Sequence, residues 1–180
     1  MIGKFPAHDY FADGSFYLLD SPGHAIGHLC ALARVTTDTF VLLGGDVCHY
    51  SGIMRPSRHL PMPENIVPHP FAPTESQKMF CPGHAWEELQ KTRSRSATDT
   101  LYDLTFGMDI ALATETVSKL QELDCDENIL VIIAHDAHAR DLLPQFPDTI
   151  NRWKAEGWGA RLKWAFLKDL SSYWTSKGVV

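Results

Sequence analysis

Three short motifs carry the residues able to do chemistry in this chain. The first is Ser21-Pro22-Gly23-His24-Ala25-Ile26-Gly27-His28, the second Gly44-Gly45-Asp46, and the third Ala134-His135-Asp136. Each follows an apolar run with the look of a strand. Pro22 and Gly23 force a tight turn, so the imidazole of His24 is held at a sheet edge. Two glycines let the backbone turn before Asp46 and present its carboxylate. Two imidazoles and a carboxylate delivered by three strand ends suit Zn²⁺ or a similar divalent ion. A carboxylate has two oxygens and can bridge two metals, and a bridged pair makes hydroxide available near neutral pH. Each motif alone is a weak signal; the agreement of type, order and strand-end placement is the stronger one.

The elements that must position these groups are legible in outline. Strands are predicted at 15–20 (SFYLLD), 29–35 (LCALARV) and 39–43 (TFVLL). The turn Thr36-Thr37-Asp38 between the last two implies an antiparallel hairpin. The stretch 52–82 holds seven prolines, among them Pro56, Pro73 and Pro82. Proline removes backbone donors, so irregular chain is expected there, held down by Met54, Ile66 and Phe71. Helices are predicted over 84–92, 108–123 and 147–156. The run 129–134 (ILVIIA) reads as a central strand buried on both faces. The expected class is α/β (α+β), a mixed sheet flanked by helices.

Composition limits the partners. The 180 residues suffice for one domain with a core, and the formal charge of -6 argues against nucleic acid or an anionic membrane surface. No apolar stretch is long enough to span a bilayer, and the opening residues show no leader-like apolar region. Cys30, Cys48, Cys81 and Cys125 include no CxxC pair, which points to a reducing, cytoplasmic setting. His28 is read as a support for its turn. Asp136 is read as a helix cap or as a group orienting His135. His84 reads as the start of a helix, His59 and His69 as exposed loop residues, and Trp153, Trp158 and Trp164 as core or interface.

The set SPGHAIGH, LLGGD and IIAHD resembles the metallo-β-lactamase superfamily over about residues 11–143. The similarity is greatest to its lactonase-like branch, that of acyl-homoserine lactonases and fungal lactam or lactone hydrolases. The resemblance implies a four-layer αββα fold and a dizinc site. In it His24 would join one zinc, Asp46 would bridge both, and His135 would join the other. It implies a small lactone or lactam substrate, opened by metal-bound hydroxide, with Asp46 passing a proton to the leaving group. Branch members place a tyrosine three residues after the bridging aspartate, where it polarises the substrate carbonyl. This chain has His49 there, followed by Tyr50, and either is a candidate for that role.

The family's HxHxDH signature is absent, so the similarity covers the C-terminal half of the fold. One incomplete domain over residues 1–180 is therefore expected, holding one zinc or none by itself. It would be a fragment, a natural short form, or a chain that completes its site with another. Exposed apolar sheet surface then predicts pairing, as a homodimer or with a longer relative, and the non-catalytic alternative is a fragment acting by such binding. A further alternative is a thioesterase or glyoxalase-type hydrolase.

Overall fold

A computed structural model describes residues 1–72 and 79–180. Among them one mixed sheet runs in the order β1 (Ala7–Asp9), β2 (Phe16–Asp20), β3 (Leu29–Arg34), β4 (Phe40–Leu43) and β5 (Ile129–Ile132). β1 to β4 are antiparallel neighbours, and β5 adds parallel to β4. The β3–β4 hairpin closes where Val35 N–H donates to the Thr39 carbonyl, and Thr36 Oγ1 accepts from Thr39 N–H. Pro73 and the rest of 73–78 lie outside the described residues.

The pleat sorts the side chains. Leu19, Cys30, Leu32, Leu42, Ile129 and Val131 line one face and pack on Val117, Leu120 and Leu123 of the long helix α2 (Ile110–Asp124). Val41 and Leu130 face the other way. They pack with Ala139 and Leu143 around helix α3 (Ala137–Leu142), Leu162 of α4 (Trp158–Lys163), and Trp153. A third cluster joins Trp86 of α1 (Gly83–Thr92) to Phe80, Phe166 and Trp174, the last on α5 (Ser171–Ser176). Met54 and Ile66 are buried and Phe71 packs on this cluster, so the proline-rich stretch is anchored where expected. Trp153 and Trp164 are core residues, and Trp158 packs on the core.

Three expectations need correction. Residues 147–156 form successive turns instead of a helix. Ile150 and Trp153 pack inward without helical backbone, and the segment stays irregular up to Gly157. The second correction concerns β5, which is buried on both faces yet pairs only with β4 among the described strands. α2 on one side and the α3–α4 cluster on the other supply that burial. The third is that His59 and His69 are half-buried, His69 against Phe71 and Phe80.

The topology gathers the three motifs. Because β2, β4 and β5 run in the same sense, all three end at one edge of the sheet. The ladder continues past the strands: Gly44 N–H donates to Ile132 O at 2.7 Å and Ala134 N–H to Gly45 O at 2.8 Å. Asp46 and His135 are therefore adjacent for reasons of backbone pairing alone.

Candidate metal centre

The loop bearing His24 is fastened to the start of α2. Met108 N–H donates to His24 O and Asp109 N–H to Gly23 O, both at 2.9 Å. Thr116 Oγ1 donates to Pro22 O at 2.6 Å. Asp109 itself caps α2 by accepting from Leu112 N–H. Gly23 has φ +122, and a Cβ there would lie 2.2 Å from the Ala113 nitrogen. Glycine is required both for that backbone and for the close approach.

Asp46 stands on the turn after β4. His28 braces that turn: its Nε2 accepts from Asp46 N–H at 3.0 Å, while Nδ1 faces the Ser21 carbonyl at 3.0 Å. A proton on Nδ1 satisfies both contacts and fixes the tautomer. Val47 and Cys48 are buried beneath, which returns the chain so that His49 rises beside Asp46. His49 Nε2 lies 3.4 Å and His135 Nε2 3.2 Å from Asp46 Oδ1. Ligand atoms of His24, Asp46 and His49 fall within 4.8 Å of one another. The His24 and His49 rings are 5.0 Å apart, and those of His49 and His135 5.3 Å.

Two atoms in this cluster have lost water without gaining a hydrogen bond. His24 Nδ1 and Asp46 Oδ1 are buried and unpartnered. Such groups are costly unless something binds them, and a divalent cation is the group that imidazole and carboxylate share. His135 has φ +65, a left-handed backbone that non-glycine residues adopt at a cost. The surroundings hold it there, with its ring on Asp46. Burial holds the His49 imidazole below its ordinary protonation range, and its neighbours His24 and His135 act the same way against the opposing Asp46 charge. A neutral imidazole is the ligand form.

The remaining candidates divide. Asp136 caps α3, accepting from His138 and Ala139 N–H, and takes a hydrogen bond from Ser51 Oγ at 2.9 Å. Tyr50 does not face the cluster. Its ring packs on Tyr102 and Phe166, and its hydroxyl donates to Asp169 Oδ2 at 2.9 Å. Burial, reinforced by Asp169, raises its pKa. Apolar contacts available to the Tyr50 ring on the C-terminal segment draw it away. His84 is the second residue of α1 and fully exposed.

Phe106, absent from the sequence-based candidates, packs its ring 5.7 Å from His24 and 5.4 Å from His49 and remains mostly exposed. It belongs to an irregular segment with no periodic pattern, so only its aromatic type beside Gly107 could have drawn notice. A cavity of about 540 Å³ opens beside His135 and Asp136, lined also by Ile132, Ala139, Arg140 and Leu143. That is a volume suited to a small molecule.

Comparison with known proteins agrees with the motifs. The chain is 46% identical over 170 residues to "Metallo-hydrolase mfmC" of Annulohypoxylon moriforme, covering 93% of this chain and 44% of that protein. It is 38% identical over 182 residues to "Gamma-lactamase FDB1" of Fusarium pseudograminearum (strain CS3096), covering 94% of this chain and 41% of that protein. It is also 43% identical over 171 residues to "Cytochrome P450 monooxygenase mpaDE" of Penicillium roqueforti (strain FM164), covering 94% of this chain. That match takes in only 18% of the relative, so its name says little about the matched segment. The chain thus spans less than half the length of each of these relatives. No family model matches the chain, and no solved structure does. Over the segment it spans, the chain is similar to proteins named metallo-hydrolase and gamma-lactamase, in keeping with the resemblance of its strand-end motifs.

Proposed function

We propose that this chain supplies the His24–Asp46–His135 side of a zinc-dependent hydrolase centre that opens a lactam or lactone ring. The observation that carries the reading is the cluster at one sheet edge, with two buried atoms of candidate ligands making no hydrogen bond. The gamma-lactamase name of one relative supports a cyclic amide as the substrate class. When bound, a divalent metal there acidifies a coordinated water and draws electron density from a carbonyl oxygen.

The chain's own residues supply the rest. Asp46 would hold one metal through its buried Oδ1, and with its side chain 38% exposed its other oxygen would be free for a second. The Asp46 carboxylate would take the proton released by the attacking water and pass it to the nitrogen or oxygen leaving the opened ring. His135 approaches the carboxylate from the side of the cavity, where the ring-bearing substrate would sit. Phe106 would give the part of a substrate that reaches His24 and His49 an apolar wall. Four unpaired thiols, two of them buried, suit a reducing, cytoplasmic setting.

A γ-lactam, a lactone and a thioester assayed in parallel with zinc-supplemented protein test the reading. Ring opening that vanishes with Asp46→Ala is expected. Turnover of the thioester alone would support a thioesterase or glyoxalase-type hydrolase.

A second reading concerns partners. The face of β2–β4 opposite α2 is incompletely covered, with Leu29 48% and Leu43 43% exposed. It favours pairing through the sheet, as a homodimer or with a longer relative.

A further inference from the structure

We propose that His49 is a metal ligand, closing a position with His24 and Asp46, instead of a donor to the substrate carbonyl. The inference rests on the metal-centre reading above and adds a residue to it.

Geometry separates the two roles. His49 Nε2 and His135 Nε2 both approach Asp46 Oδ1, at 3.4 and 3.2 Å, yet that buried oxygen accepts no hydrogen bond. A nitrogen held 3.4 Å from a carboxylate oxygen that accepts no hydrogen bond, as His49 Nε2 is, has the spacing of two ligand atoms around one ion. Around tetrahedral zinc, bond lengths of about 2.0–2.2 Å place neighbouring donors roughly 3.3 Å apart. A residue waiting for a carbonyl would instead aim its N–H into open space, away from the carboxylate.

The backbone leads to the same conclusion. Only the buried pair Val47 and Cys48 separates Asp46 from His49, so both side chains rise from one short turn anchored in the core. A ring nitrogen of His24 completes the triangle from the opposite loop, and the Nδ1 of that ring is buried without a hydrogen bond. Phe106 packs on both imidazoles and limits their rotation. His135 stays outside this triangle, meeting the shared carboxylate and lying 5.3 Å ring to ring from His49, which leaves it for a second ion. Such a triad provides two nitrogens and one oxygen with an open fourth position, the ligand number of a catalytic zinc site.

The test is calorimetric zinc titration of the full chain, paired with Co²⁺ absorption as a probe of ligand field. Variants are His49→Ala, His49→Cys, His24→Ala and, as a control, the exposed His84→Ala. His49→Ala is expected to weaken zinc binding by about 100-fold or more. That exceeds the roughly 10- to 100-fold lost when a residue merely orients a ligand. The Co²⁺ bands should move, and His49→Cys, which restores a ligand atom, should recover affinity with a thiolate charge-transfer band. Wild-type affinity and an unchanged Co²⁺ spectrum in His49→Ala, with loss in His24→Ala, would overturn the assignment of His49 and leave the metal centre standing. A wild-type chain that binds neither ion would overturn both.

Discussion

His135 shows how a single residue trades stability for position. Its left-handed φ of +65 is what turns the chain after β5 so that the ring meets Asp46. Replacing it by glycine removes the steric conflict at the Cβ and the ligand together. His135→Gly should therefore raise the unfolding free energy of the metal-free chain by about 1 kcal/mol while lowering metal affinity. Chemical denaturation with and without zinc measures both, and a glycine variant less stable than wild type without metal contradicts the account. Much at this scale was readable beforehand. His24, Asp46 and His135 converge because their residue types and strand-end positions depend on local turn chemistry, which sequence displays. The direction of Tyr50 was not readable, since it follows from Phe166, Tyr102 and Asp169, all remote in the chain. His49 was visible, but its approach to Asp46 Oδ1 depends on Val47 and Cys48 being buried beneath it.

The elements hold the residues in register, and two junctions matter most. One is the seat of the His24 loop on α2. At Gly23 a methyl group would meet the Ala113 backbone at 2.2 Å, whereas at Gly27, φ +73, it would meet nothing within 4 Å. Gly23→Ala is expected to cost about 3 kcal/mol or more, because backbone must shift, and Gly27→Ala only about 1 kcal/mol of strain. Thermal denaturation of the pair checks the contrast, and equal losses would refute the packing argument.

The other junction is the end of α2, where Asp124 receives both Arg55 Nε at 2.7 Å and Arg55 Nη2 at 2.6 Å in full burial. Arg55 also donates to the Lys163 carbonyl, tying α4 to the same point. Burial pushes the Asp124 carboxyl up, but the guanidinium outweighs it and holds the carboxyl below the usual range. A carboxyl lowered by folding contributes stability above its unfolded value of 3.8 and loses it as pH falls through the lower folded value. Unfolding followed from about pH 5 to about pH 2.5 should show a steeper acid loss in wild type than in the double replacement Arg55→Met, Asp124→Leu. Identical slopes would remove the pair from the acid response. The β3–β4 hairpin and α2 were legible from turn chemistry and local periodicity, whereas β1 and the parallel seat of β5 on β4 were not. The failure of 147–156 to become a helix was not, because Ile150 and Trp153 satisfy a buried pattern without helical backbone.

At the scale of the molecule, one face of the sheet packs into a core shared with α2, and the other is covered only around β4 and β5. Leu29 and Leu43 remain half exposed on the uncovered part, and apolar surface of this kind favours association. Leu29→Lys with Leu43→Lys should shift sedimentation towards monomer and lessen its concentration dependence. A wild-type chain monomeric at every concentration would contradict pairing through this face. The edge order also explains how a chain spanning less than half of its relatives gathers the three motifs, since β2, β4 and β5 all end where His24, Asp46 and His135 lie. That convergence makes one prediction above the rest. Purified protein, exchanged into zinc-containing buffer and then desalted, should retain zinc in elemental analysis, and Asp46→Ala should lose it. Protein that retains no zinc at any loading, or an Asp46→Ala variant that retains as much as wild type, would contradict a metal centre at this edge.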